Sequence, residues 1–294
     1  MRVLILIITL FLAINSFAQI KELKKNKDDN SLLWQVSGNG LQQPSYLFGT
    51  FHLMCKDDIV FSEQLKQALV NSDTLYLELN LSDPVVYFGG LKMVYMKDGK
   101  TLKDLYNDSD YNKIKTYFHD SLSIALGAVQ NMKPELIIAL LYPQLLKCKK
   151  ADGVEEGLMH IAKENKKPIR GLETIEFQSA IFDSIPYEEQ AKDLLQTIDS
   201  INKYSDEFNQ MLLTYKAQQL KQLETLITGS DFTANEHDDI LLYDRNRNWV
   251  GQLKSKMQGK SIFVAVGAAH LLGEKGLIKL LQKEGYSVIP LLNK

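Results

Sequence analysis

Five side chains in this 294-residue chain have types and settings suited to bond-breaking chemistry: His52, Glu78, Glu173, Arg245 and His270. The histidines share a pattern. "YLFGTFHL" ends an apolar run at Gly49 and places His52 three residues on; "IFVAVGAAHLL" does the same with Gly267 and His270. With 17 Gly and 5 His, random placement gives roughly 0.3 Gly-x-x-His matches. The chain has three, but Gly157–His160 lies in a helix pattern with no strand before it, which reads as a structural or surface histidine. In the other two, glycine lets the chain turn sharply off a strand end, through positive φ or by leaving room for close approach. Two neutral imidazoles brought together can bind a transition metal or act as general acid and base. Each could instead cap a helix or bond a carbonyl.

Glu78 lies in "TLYLELNL", where a carboxylate inside an apolar stretch is costly unless paired or metal-bound. It reads as a third ligand beside His52 and His270 with a position left open for water, as a group orienting a histidine, or as a solvent-facing edge residue. Glu173 ends the short "PIRGLE" strand and is either a general base at the same edge or a carboxylate at the start of the next helix. In "DRNRNW", Leu241, Leu242, Arg245 and Trp249 share a helical face, which turns Arg245 inward and Arg247 outward. An inward Arg needs a carboxylate or an anionic ligand and can hold an oxyanion; a structural salt bridge is the alternative. Asn246 can bond alongside. His119 and His237 have no such setting and read as surface residues.

The elements that must position these groups form an α/β fold: a mixed central sheet with two pseudo-repeated strand–GxxH–helix–strand units, one at each end, and an inserted helical cap at about 101–230. A hairpin (32–38 and 45–49) leads to His52, followed by a helix over 61–73 and a strand over 74–81. Helices are expected at about 101–118, 134–149, 153–165, 174–184, 187–203 and 206–228, the last two as a coiled-coil-like hairpin. A helix over 236–257, the strand before Gly267, a helix and a last strand complete the chain. Each end unit is a βαβ crossover, which predicts parallel strands, and ligand sites form at the carboxyl ends of such strands.

Composition places the chain among globular proteins, at 45% hydrophobic and 24% charged. Residues 1–18 combine Arg2, the apolar run Val3–Ile14, and Ser16 and Ala18 at −3 and −1 to a cut, a signal-peptide pattern. The run is shorter than the ~20 residues a membrane span needs. An exported, periplasmic or extracellular chain is expected, with no span after signal removal, a flexible N-terminus at 19–31 and one domain over 32–294. The mature chain has 33 basic and 36 acidic residues and no broad basic face, which argues against nucleic acid as a partner. Cys55 and Cys148 could pair in an oxidising compartment. Cys55 also stands at H-x-x-C spacing from His52, though a small buried residue after a strand is the simpler reading.

"YLFGTFHL", "LYLEL", "GLETIEFQSAIFDSIPYEEQ", "DRNRNW" and "IFVAVGAAHLLGEKGLIKLLQKEGYSV" together resemble the TraB/PrgY family in its GumN-like bacterial branch, from about Leu32 to Leu292. The resemblance implies two Gly-x-x-His motifs, a Glu after the first and an Arg before the second, which fall on His52, His270, Glu78 and Arg245. It also implies kinship with the membrane-tethered Tiki metalloproteases, which trim Wnt N-termini, and a fold like that of erythromycin esterases and the haem-binding protein ChaN. Asp244-Arg245-Asn246 stands where the family often has "ERN". The expected protein is an exported metal-dependent hydrolase, a peptidase. His52, His270 and Glu78 would hold Mn, Co or Zn, Glu173 or Glu78 would serve as base, and a peptide or small molecule would be the substrate. The alternatives are a metal-free esterase-like hydrolase with His52 as base oriented by Glu78, and a non-enzymatic protein that binds a peptide or haem.

Overall fold

The computed structural model describes residues 23–26, 28–230 and 237–294; the proposed signal peptide at 1–18 lies outside them. The strands are β1 (Leu33–Ser37), β2 (Ser45–Thr50), β3 (Met54–Cys55), β4 (Thr74–Leu77), β5 (Ala151–Asp152), β6 (Ile169–Gly171), β7 (Ile262–Gly267) and β8 (Ser287–Pro290). The helices are α1 (Glu63–Asn71), α2 (Pro84–Met93), α3 (Leu102–Leu105), α4 (Asp108–Leu122), α5 (Pro134–Ile138), α6 (Tyr142–Leu145), α7 (Val154–Glu164), α8 (Ile175–Ser184), α9 (Tyr187–Asp199), α10 (Ile201–Lys216), α11 (Leu220–Gly229), α12 (Asp244–Lys256) and α13 (Leu277–Lys283).

A mixed α/β architecture results. One sheet has the order β6-β4-β7-β2-β1-β8, and β3 pairs with β5 in a separate ribbon. β2, β4, β6 and β7 run parallel, while β1 is antiparallel to both β2 and β8. β8 therefore points the same way as β7, and the strands of both end units, β2–α1–β4 and β7–α13–β8, are parallel. β2 and β7 are buried at every residue, as strands covered on both faces must be. Their apolar runs made them legible. The ladder pairs Thr50 with Gly267 and Leu77 with Ala265, so the carboxyl ends of β2, β7 and β4 come out nearly level.

Several boundaries differ from expectation for local reasons. The strand expected over 74–81 stops at Leu77, so Glu78 lies just past its end. The stretch 101–118 breaks where Asn107 caps α4 by accepting from the Asp110 N–H at 2.9 Å. The expected helical hairpin over 187–228 is three helices, broken at Ser200 and at Gln218, whose φ is 57°. It is not a self-contained coiled coil: Phe208, Met211, Tyr215, Leu220 and Leu223 enter the same core as the sheet. α2, capped by Asp83 with Pro84 at its first position, was not foreseen, because Val85, Phe88 and Leu91 stay exposed and no apolar stripe marks it. The helices hold a second core around Leu102, Ile114, Phe118, Ile137 and Leu194.

In the described part of 19–31, Leu23 is buried and Lys25 forms an isolated antiparallel bridge with Leu291 beside β8. Cys55 and Cys148 form a disulfide across the β3–β5 ribbon, which removes the thiolate that H-x-x-C ligation would need. Among the described residues no helix is long and apolar enough to cross a membrane.

Candidate functional site

Four neighbouring parallel strands deliver four of the five candidates to one edge. His52 lies two residues past β2, His270 three past β7, Glu78 one past β4 and Glu173 two past β6. Arg245 reaches them from α12. A wide π-helical turn at Asp239–Tyr243 precedes that helix, and Arg245 Nη1 donates to the Leu241 carbonyl at 3.0 Å. Such turns recur at functional sites. Arg245 is inward, with 11% of its side chain exposed, and Arg247 outward at 56%.

Arg245 ties the two carboxylates together. Nη2 donates to Glu78 Oε2 at 2.6 Å and to Glu173 Oε2 at 2.9 Å, and Nε donates to Glu173 Oε1 at 3.0 Å. The Glu173 side chain is almost wholly buried against this guanidinium, and Glu173 is not among the residues that line the cleft. In this position it holds Arg245. It does not cap α8, a task Thr174 performs by accepting from the Phe177 N–H. Glu78 Oε1 accepts the Gly267 N–H at 2.8 Å. Burial opposes the Glu78 charge, but the cations Arg245 and His52 and the Gly267 amide outweigh it and hold the carboxyl well below the usual range.

The two imidazoles are fixed from behind. Asn246 donates its amide to the His270 carbonyl at 3.3 Å and to the Lys275 carbonyl at 2.9 Å, which leaves Oδ1 to accept from His270 Nδ1 at 2.7 Å. The network assigns the His270 proton to Nδ1 and the lone pair to Nε2. That Nε2 lies 3.8 Å from Glu78 Oε1 and 3.3 Å from Arg245 Nη1. Burial is the largest cause that pushes His270 down to about 3, so it is neutral and its contact with Glu78 is no ion pair. His52 Nδ1 bonds Glu155 Oε1 at 2.6 Å, and Nε2 lies 3.9 Å from Glu78 Oε1. Crowding by protein works against a charge on His52, but Glu155 and then Glu78 raise it to about 9. Glu155, not Glu78, orients this histidine.

Glu155 and Thr50 were missed from the sequence. The start of α7 packs under the His52 loop, with the Val154 N–H donating to the Phe51 carbonyl at 3.2 Å, and Thr50 Oγ1 donates to Glu155 Oε1 at 2.6 Å. Glu155 shares a face with the buried Leu158 and Met159, and a carboxylate on an apolar helix face was the available signal. His160 and His119 are exposed, as expected. His237 is partly buried: about a quarter of its side chain is exposed, and Nε2 bonds Glu189 at 2.9 Å. His52, Glu78, Arg245 and His270 line a cleft of about 490 Å³.

A model of the TraB/PrgY/gumN family matches residues 32–290, most of the chain. The chain belongs to this family. Among similar proteins are the metalloprotease TIKI2 of Danio rerio, 24% identical over 89% of this chain and 61% of that protein, and the metalloprotease TIKI1 of Xenopus tropicalis, 24% identical over 92% and 64%. The uncharacterized protein YbaP of Shigella flexneri is 23% identical over 81% of this chain and 88% of its own length. The chain spans about three-fifths of the length of the TIKI proteins it matches. No solved structure matches it.

The TIKI relatives are named metalloproteases, which raises the question whether these residues suit a divalent ion. Among the described residues no three His, Cys, Asp or Glu side chains already converge as a metal centre. The donor chemistry nevertheless fits one. His270 Nε2 and Glu78 Oε1 are both acceptors that face each other, and each imidazole is held at Nδ1 by a polar partner, the usual support of a ligating histidine.

Proposed function

We propose that this TraB/PrgY/gumN chain is an exported metal-dependent hydrolase, a peptidase, with a divalent ion such as Mn, Co or Zn held by His52 Nε2, His270 Nε2 and Glu78 Oε1. The observation that carries this reading is the pair of acceptors, His270 Nε2 and Glu78 Oε1, set 3.8 Å apart with His52 Nε2 3.9 Å from the same oxygen. A divalent ion between them would take these groups as ligands in place of the Arg245 Nη1 contact to His270 Nε2 and of the proton that Glu155 and Glu78 hold on His52. When bound, such an ion lowers the pKa of a water and polarises the scissile carbonyl. Glu155 and Asn246 keep both imidazoles in register for that task. Glu78 lines the cleft and can meet a water or substrate, whereas Glu173 anchors Arg245. Arg245 lines the cleft beside His270, and its Nη1 would hold an oxyanion or a substrate carboxylate by giving up the contact with His270 Nε2.

The names of the TIKI relatives support hydrolysis of peptides, and the disulfide supports export into an oxidising compartment. The test is metal content by mass spectrometry on protein purified without chelator, with peptide hydrolysis followed in parallel. About one ion per chain is expected, reduced together with activity in His52→Ala and His270→Ala. A metal-free protein whose His52→Ala variant retains full activity would sink the reading.

The Glu155–His52 pair bears on a second reading, a metal-free hydrolase with His52 as base; because Glu155 and Glu78 raise His52 to about 9, such a base works only as pH rises toward that value. Activity that survives stripping with 1,10-phenanthroline would favour it.

A further inference from the structure

Three residues of one helix grip His270. Along α12, Arg245 and Trp249 stand one turn apart and Asn246 follows Arg245 directly. Asn246 Oδ1 accepts from His270 Nδ1 at 2.7 Å, and Arg245 Nη1 lies 3.3 Å from Nε2 at the other side of the ring. Both contacts act at a nitrogen, so neither resists rocking of the imidazole about the line through its two nitrogens. The indole of Trp249 does: the two rings meet at 4.5 Å between centroids with a 46° tilt. The Arg245 guanidinium lies over the same indole, its Cζ 4.8 Å from the ring centroid.

Packing alone does not account for an indole here. Trp249 has no exposed surface and belongs with Val250 and Leu253 to the core that backs the sheet, so the platform is itself fixed. Its Nε1 is buried with no hydrogen-bond partner among the described residues, a cost that a phenyl ring would not carry. The working part of the side chain is therefore its aromatic face. That face matters most when Arg245 Nη1 leaves His270 for a ligand. The guanidinium then keeps Glu78 at Nη2, Glu173 at Nε and the indole against Cζ, while the imidazole keeps Asn246 and the indole.

We propose that Trp249 is a positioning residue. Its indole face holds the His270 imidazole and the Arg245 guanidinium in one mutual setting, so that the metal-ligating nitrogen and the anion-holding donor act as a unit. The proposal rests on the reading of His270 Nε2 as a metal ligand, and the metal-free protein tests it separately.

Two readouts are taken on wild type, Trp249→Leu, Trp249→Phe and Phe118→Leu. One is zinc affinity, by competition with a chromophoric chelator. The other is the His270 Nδ1–H signal in proton–nitrogen NMR spectra of the metal-free protein. Phe118, buried in the second core, supplies a ring truncation away from the site. In Trp249→Leu, zinc affinity is expected to fall about 10-fold, whereas Trp249→Phe stays within about threefold of wild type. The Nδ1–H signal should be sharp in wild type and Trp249→Phe and broaden by exchange with water in Trp249→Leu. Phe118→Leu should lower the melting temperature and move neither readout. Trp249→Met carries the same comparison if Trp249→Leu does not fold. Either readout unchanged in Trp249→Leu overturns the proposal, as does an equal loss in Phe118→Leu or a Trp249→Phe no better than Trp249→Leu. A wild-type protein that binds no zinc removes the metal-dependent reading. The Nδ1–H signal then decides for or against Trp249, and its absence from the wild type decides against.

Discussion

His52 owes its orientation to a residue 103 positions away, and Glu155→Gln isolates that contribution. The variant keeps the side-chain shape and removes the charge that supports the imidazole. Activity and metal affinity are expected to fall about 10–100-fold, with little change in melting temperature; an activity within about twofold of wild type would show that Glu155 does not position His52. Glu135 makes the converse prediction. Its carboxyl is raised to about 7, by burial first and Asp193 second, against an unfolded value near 4.3. A raised acid destabilises the fold increasingly as pH climbs from the unfolded value to the folded one, and by a constant amount above that. Glu135→Gln should therefore add about 1–2 kcal/mol of stability at pH 8 and almost none at pH 4, read from urea melts at both values. His52, His270, Glu78 and Arg245 were legible because each is an unusual residue in its local pattern. Glu155 was not, since its role exists only once α7 is packed beneath the β2 loop.

The glycines of the two motifs serve by what they leave empty. Neither Gly49 nor Gly267 has positive φ, so the freedom anticipated from sequence is not what they supply. A Cβ on Gly49 would stand 3.1 Å from the Ala268 Cα and 3.0 Å from Leu271, where backbone must yield. A Cβ on Gly267 would stand 3.1 Å from His52 Nε2 and 3.4 Å from Glu78 Oε1, where side chains can turn aside. Gly49→Ala should thus cost about 1–3 kcal/mol of stability by overpacking. Gly267→Ala should fold nearly normally and lose at least about 10-fold in activity by displacing the pair. Calorimetric melts and hydrolysis rates on both variants decide this, and equal loss of stability would refute the contrast. β2 and β7 were readable because burial on both faces leaves an unbroken apolar run. α2 and the breaks within 187–228 were not, because an exposed apolar face and a left-handed Gln218 obey contacts that periodicity does not record.

At the scale of the molecule, the site is assembled by threading β7 between β2 and β4, which sets His270 beside His52 although most of the chain separates them. The sequence implied that both histidines end parallel strands; it could not give the strand order, which depends on pairings between distant segments. The Cys55–Cys148 disulfide closes the other side of the same loop. It pins β3, three residues beyond His52, to the segment that runs through β5 into α7 and Glu155. Breaking it frees 93 residues of separation in the unfolded chain and also loosens the two backbones that bring His52 to Glu155. The first effect should cost about 2–4 kcal/mol, a fall of roughly 5–10 °C in melting temperature. The second should appear as a lower kcat well below that melting temperature, where the protein is still folded. Cys55→Ser/Cys148→Ser, melted and assayed at 25 °C beside the oxidised protein, separates the two. A lowered melting temperature with unchanged kcat would make the disulfide a staple of the fold alone, whereas a fall in both would tie the His52–Glu155 contact to the oxidation state of the chain.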